Sequence, residues 1–199
     1  GIDYLKACKK TRPLKGNKEI SLARLIMQHA IGLGMIETNP LNDIERNKVV
    51  EVKKRYVTHE EMTLAVEMGR KFGGARLIVA LALKTAWLCV RRSFEVRQIK
   101  RESVTPSGIL WTDSKSKTKP TILIEWSPEL SATIYEAMEV KRNADAGTMY
   151  LFGNLRGEPY TKGGWKAMLD DLMRECVLEA KRRKMPFQKF SLQDCRPKG

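Results

Sequence analysis

Residues 75–99 read ARLIVALALKTAWLCVRRSFEVRQI, and this stretch decides the fold. Its first fifteen residues are apolar nearly all round. A surface helix carries one apolar stripe, so a segment apolar on every side reads as a helix buried in a domain core. It runs directly into Arg91, Arg92, Ser93, Phe94 and Glu95. Arg92 and Glu95 stand three residues apart, a spacing that on a helix places them on one side. The carboxylate could then orient the guanidinium toward a phosphate. The same spacing also serves ordinary surface ion pairs, so its position after a core helix is what draws notice.

On the N-terminal side, Thr58-His59-Glu60-Glu61 resembles a capping box and starts the preceding helix, which Gly73-Gly74 ends. Further upstream Asn17 is a good N-cap for KEISLARLIMQHAIGLG, with Ile20, Ala23, Met27 and Ala30 recurring at helical spacing. Gly34 suits the C-terminal cap, and Asn39-Pro40 blocks continuation. From Asn42 to Tyr56 the chain is charged and lacks an apolar period, as a linker would. The expected organisation is a helical segment over 1–44, a linker over 45–57 and a second domain over 58–199.

On the C-terminal side, ILWTD and TILIEW are β-prone runs separated by SKSKTKP. They read as a hairpin with a lysine-rich tip, in which Ile122, Ile124 and Trp126 share a face. Ser127-Pro128-Glu129 gives an N-cap, an N1 proline and an early acid for a helix reaching about Asn143. A loop with Gly153, Gly157 and Pro159 follows, then a long helix from Thr161 to Lys184. The final FQKFSLQDCRPKG begins something that the chain does not finish. The expected fold class is mostly α with a small antiparallel β-sheet.

Composition narrows the function. The net charge is +14 and the pI about 9.8, a field that favours polyanions, nucleic acid first. No basic amphipathic helix with an aromatic face points to a membrane surface, and no apolar run reaches a bilayer's thickness. Cys8, Cys89, Cys176 and Cys195 are isolated, with no CxxC pair for zinc or a disulfide framework. Reduced, intracellular thiols are expected.

Taken in order, these pieces resemble the tyrosine recombinase (phage integrase) family. The segment Thr85–Ile99 looks like its first arginine box, and SKTKPTILI its β-hairpin lysine segment. LFGNLRGEPYT is similar to the approach to the second box, and FSLQDCRPKG to that box itself, which usually reads HxxR. Upstream, NKEISLARLIMQHAIGLGMIETNPL resembles the end of the family's helical core-binding domain. Two features depart from the pattern. Gln193 stands where histidine is usual, and glutamine cannot act as general acid or base. The chain also reaches Gly199 before the family's third histidine or tryptophan and its nucleophilic tyrosine, so an incomplete catalytic domain, inactive alone, is expected.

The resemblance implies a mechanism. A tyrosine oxygen attacks the scissile phosphodiester, a 3′-phosphotyrosyl bond forms and a 5′-hydroxyl leaves, without a metal or other cofactor. Arg92 and Arg196 would neutralise the transition state, which planar guanidinium suits better than ammonium. Lys117 would protonate the leaving oxygen. Gln193 would hydrogen-bond the phosphate and Glu95 would hold Arg92. Arg91, Lys115 and Lys119 would contact DNA. The implied partner is double-stranded DNA, with self-association on DNA in the complete protein, in a bacterial or phage-encoded cytoplasmic setting. The alternative is a non-catalytic DNA-binding module of the same ancestry. His29 and His59 read as ordinary helix residues, and Trp87 and Trp165 as core. Lys181-Arg182-Arg183-Lys184 reads equally as phosphate-contacting or as a solvated helix end. Cys195 has no histidine near it in sequence to activate it as a nucleophile.

Overall fold

The structure, a computed structural model, describes residues 1–49, 56–112, 120–143 and 149–196. The chain divides into two units, Gly1–Lys53 and Lys54–Gly199.

In the first unit, α1 (Ile2–Cys8) precedes α2 (Pro13–Gly32). The sequence reading missed α1 and began α2 at Asn17. Pro13 at the first helical position starts α2 a turn earlier, because proline's fixed φ and missing N–H fit there. Asn17 is therefore not a cap. It is buried in the helix, where its amide donates to Asn47 O and its carbonyl oxygen accepts from Asn47 N, both at 2.8 Å. Asn47 in turn donates to Leu5 O at 2.8 Å, and Ile44 is buried with Leu5 and Ile20. The start of the charged 42–56 stretch is thus fastened to the helices.

The end of α2 is a Schellman turn. Gly34, at φ 68°, donates to Ile31 O and Met35 donates to Ala30 O. Of the expected buried stripe only Ile20 is fully covered, and Leu22, Leu25 and Ile26 face solvent, Leu25 at 67%. The short α1 and the 41–47 segment are too small to cover the whole helix.

In the second unit, α3 (His59–Phe72) opens with the predicted capping box. Thr58 Oγ1 accepts from Glu61 N at 3.2 Å, and Glu61 Oε2 accepts from Thr58 N at 3.1 Å. Gly73 both ends α3 and starts α4 (Gly74–Cys89), so the two helices fold back antiparallel. They cross closely at Gly69. A Cβ there would lie 2.6 Å from that of Ala80. Residues Ile78 to Leu83 are fully buried, as the apolar run requires. α6 (Pro128–Glu139) and α7 (Lys162–Arg182) pack against α4. Before α6 come the short α5 (Ser93–Gln98), β1 (Val104–Thr105), β2 (Gly108–Thr112) and β3 (Thr121–Glu125).

The sheet is antiparallel in the order β1-β2-β3, with Ile109 opposite Ile124 and Trp111 opposite Ile122. Ile109 and Trp111 are buried, while Leu110 and its partner Leu123 face out. Trp126 is fixed by its Nε1–H, which donates to Thr105 O and Pro106 O at 3.1 Å. α6 stops at Glu139 rather than Asn143. Val140 is extended, Arg142 donates to Leu151 O at 2.7 Å, and Asn143 N donates to Leu155 O at 2.7 Å. Tertiary partners for these groups outcompete another helical turn.

The end of α7 is held by ions. Arg182 donates to Glu179 at 2.9 and 2.5 Å. Arg183 reaches both Glu179 and Glu67, each at 2.7 Å. Hydrogen bonds from Arg182, then Arg183, lower the Glu179 carboxyl from its ordinary 4.5 to about 2. A carboxylate depressed on folding stabilises the native state above its unfolded pKa, and that contribution is lost as pH falls through the folded value. Glu179→Gln is expected to lower the melting temperature at neutral pH and to flatten its decline between about pH 4.5 and about pH 2. Parallel declines for both proteins in thermal melts across that range would refute this.

Candidate nucleic-acid interface

The centre of the site is the turn that leaves α4. Val90 adopts a left-handed conformation, φ 52° and ψ 37°, uncommon for a β-branched residue. This reverses the chain directly after the core helix and presents Arg91 and Arg92. Sequence reasoning had no signal for it, since valine disfavours the conformation. With Val90 42% exposed, Val90→Gly loses little packing. It relieves roughly 1–2 kcal/mol of backbone strain against a loss of about 0.4–1 kcal/mol from glycine's looser unfolded chain. A rise of about 2 °C in melting temperature is expected.

Arg92 is not on a helix with Glu95, as its spacing had suggested. It is the extended N-cap of α5, and Glu95 sits in the first turn. The pair meets in another way. Arg92 Nη1 donates to Glu95 Oε1 at 2.9 Å, while Glu95 Oε2 accepts from Arg92 N at 3.2 Å. One buried carboxylate therefore fixes both the backbone and the guanidinium of Arg92, whose side chain remains 28% exposed. Arg91 meets Trp111. Its guanidinium carbon lies 5.8 Å from the centre of the Trp111 ring. This cation–π contact joins the arginine turn to β2, the strand that leads into the lysine-rich segment. Sequence reasoning gave Trp111 no such role, because twenty residues separate the partners. Lys115, Lys117 and Lys119 lie outside the described residues.

The C-terminal segment supplies Gln193 and Arg196. Phe190, Leu192 and Cys195 are buried in the core, and Gln193 and Arg196 are exposed beside them. Asp194 makes the turn compact, accepting from Ser191 N and Oγ at 2.8 Å. This segment is also tied to α3, since Gln188 N donates at 3.0 Å to Glu61 Oε1, the second oxygen of the capping carboxylate. The start of α3 meets the end of α4 through His59 and Trp87, with ring centres 5.8 Å apart. The Glu61 carboxylate thus ties the segment before Gln193 to the start of α3, which meets the end of α4 at Trp87.

The remaining sequence candidates fall away from chemistry. His29 is exposed on α2, Trp165 is buried and Trp87 packs against the core. Cys195 is 1% exposed, and burial pushes its thiol up to about 12, which leaves it protonated. Arg182 and Arg183 are committed to Glu179 and Glu67, and Arg70, Arg76 and Lys84 pair with Glu136, Asp171 and Glu129. Much of the basic charge on these helices is thus balanced internally. Among the described residues no group of three metal-ligating side chains gathers, and no helix is long and apolar enough to cross a membrane.

Neither a family model nor a curated protein sequence matches this chain. Solved structures do. One is a lambda integrase dimer bound to a COC′ core site, with TM-score 0.69 and 16% identity over 96% of this chain and 67% of that one. Another is the Tn1549 transposon integrase in complex with circular intermediate DNA, with TM-score 0.71 and 14% identity over 97% and 67%. A third is the XerH site-specific recombinase bound to difH substrate, with TM-score 0.57 and 16% identity over 88% and 52%. The chain spans about half to two thirds of these proteins. The mostly helical fold with its small antiparallel sheet is therefore the fold of the tyrosine recombinases.

Proposed function

We propose that this chain is the arginine-bearing part of a site-specific DNA recombinase, and that Arg92 and Arg196 hold one DNA phosphate. The reading rests above all on Arg92, gripped by Glu95 at the exit of the central core helix, in a fold shared with integrases solved in complex with DNA. A guanidinium fixed before its ligand arrives loses little entropy on binding, and its planar donors match phosphate oxygens.

In the complete protein a tyrosine would attack the phosphorus. Arg92 and Arg196 would stabilise the developing charge, and Lys117 would give its proton to the leaving 5′-oxygen. Gln193 would donate a hydrogen bond to a non-bridging oxygen without moving a proton. Lys115 and Lys119 would contact backbone phosphates. Arg91 would do so only in part, since Trp111 holds its guanidinium. Further copies would assemble on the DNA, in a cytoplasmic, bacterial or phage setting.

The second reading, a DNA-binding module without catalysis, is favoured by Gln193 in place of histidine. Titration of duplex DNA at low salt tests what both share. Saturable binding, weakened by Arg92→Ala, is expected; no binding at low salt would contradict it.

A further inference from the structure

Arg91 stands next to Arg92 but is held in a different way. Val90, at φ 52°, bends the chain at the exit of α4, and both arginines follow that bend. Glu95 fixes Arg92 through its backbone N at 3.2 Å and its Nη1 at 2.9 Å. Arg91 is fixed by a ring. Its guanidinium carbon lies 5.8 Å from the centre of Trp111, within reach of a cation–π contact.

That contact is the anchor of the side chain. Among the described residues no carboxylate pairs with Arg91, and its Nε is buried without a hydrogen-bond partner. The Nε1–H of Trp111 is also buried and unpartnered, so packing places the indole. Trp111 is 2% exposed, on β2 opposite Ile122 of β3. Trp111 and Glu95 also border one groove, between β2 and α5. A buried strand residue therefore backs one arginine and a buried carboxylate the next. The left-handed valine before them is a costly conformation, which persists only where its surroundings over-determine it.

We propose that Arg91 and Trp111 are positioning residues for Arg92. The ring holds Arg91, and Arg91 holds the strained turn, so that the next guanidinium meets its phosphate already in place. The proposal rests on the reading of Arg92 as a phosphate contact. Without the ring the turn gains freedom, and Arg92 must be ordered as DNA binds, which lowers its share of the affinity.

The test is duplex DNA affinity of the whole chain at low salt, by fluorescence anisotropy, with melting temperatures measured alongside. Arg92→Ala should weaken binding about fivefold in the wild-type chain. Trp111→Leu removes the ring but keeps the charge of Arg91. Alone it should weaken binding about two- to threefold. In that background Arg92→Ala should cost at most about twofold, because positioned and positioning groups act as a unit. Trp111→Phe keeps a ring beside Arg91 and should restore the fivefold effect. Both core variants open space and should lower the melting temperature, so a merely structural role would give both the same loss of coupling. If Trp111→Leu fails to fold, Arg91→Ala takes its place and Arg91→Lys, which keeps a cation on the ring, serves as the rescue. A full fivefold effect of Arg92→Ala without the ring, an affinity unchanged or raised by Trp111→Leu, or no rescue by the conservative variant would overturn the proposal and leave Arg92 a phosphate contact. No effect of Arg92→Ala in the wild-type chain would instead sink that reading, and the proposal with it.

Discussion

The 199-residue chain, incubated with a nicked duplex that traps a covalent intermediate, is expected to give no protein–DNA adduct on denaturing electrophoresis. Cleavage needs an oxygen nucleophile held in line with the phosphorus. All five tyrosines precede the Gln193–Arg196 turn. Tyr4 is bonded to Glu19, Tyr135 rests against Trp126, Tyr160 packs on Trp165, and Tyr150 is half-buried. Tyr56 is exposed. The Cys195 thiol is buried and protonated, and water is not positioned as a side chain would be. A longer protein that carries a tyrosine at the position the resemblance implies should form the adduct. Arg92→Ala or Arg196→Ala in that protein should abolish it, since an arginine on a phosphoryl transition state contributes roughly 10³- to 10⁵-fold. Glu95→Gln should impair it less, because the amide can still accept from Arg92. An adduct from residues 1–199 alone would mean another nucleophile and would overturn the site assignment.

What the sequence made legible was local. The capping box at Thr58 and Glu61, the N-cap Ser127, and the apolar run from Ala75 to Cys89 each contain their own signal. The structure repeats them nearly residue for residue. Misreadings arose where a distant partner decides. Asn17 looked like a cap because its partner, Asn47, lies thirty residues away. For the basic run at Lys181–Lys184 the sequence left phosphate contact and solvated helix end equally open, because Glu67, which engages Arg183, is 116 residues away. At the candidate site the arginine box was visible. The Val90 turn and the stacking of Arg91 on Trp111 were not, since one defies propensity and the other is purely tertiary.

The second large effect is on salt. Phosphate contacts release condensed counterions, so affinity falls as a power of salt concentration. If about five phosphates are neutralised, raising salt from about 50 to about 200 mM should weaken duplex binding roughly 500-fold. The net charge of +14 supplies ample cations, and the internal ion pairs of α3, α4 and α7 limit how many are available. Little sequence preference is expected, because backbone contacts position without reading bases. Fluorescence anisotropy of a labelled duplex across that range measures the slope. A flat response would mean that the positive field does not drive binding.

The central claim is that Arg92 and Arg196 share one phosphate, and a double-mutant cycle on duplex affinity tests it most directly. Arg92→Ala and Arg196→Ala should each weaken binding about fivefold, roughly 1 kcal/mol for an exposed charge-assisted contact. If both side chains grip the same phosphate, the losses should be non-additive, with a coupling of at least about 0.5 kcal/mol. Two losses that add within about 0.3 kcal/mol would place the arginines on separate contacts and contradict the account.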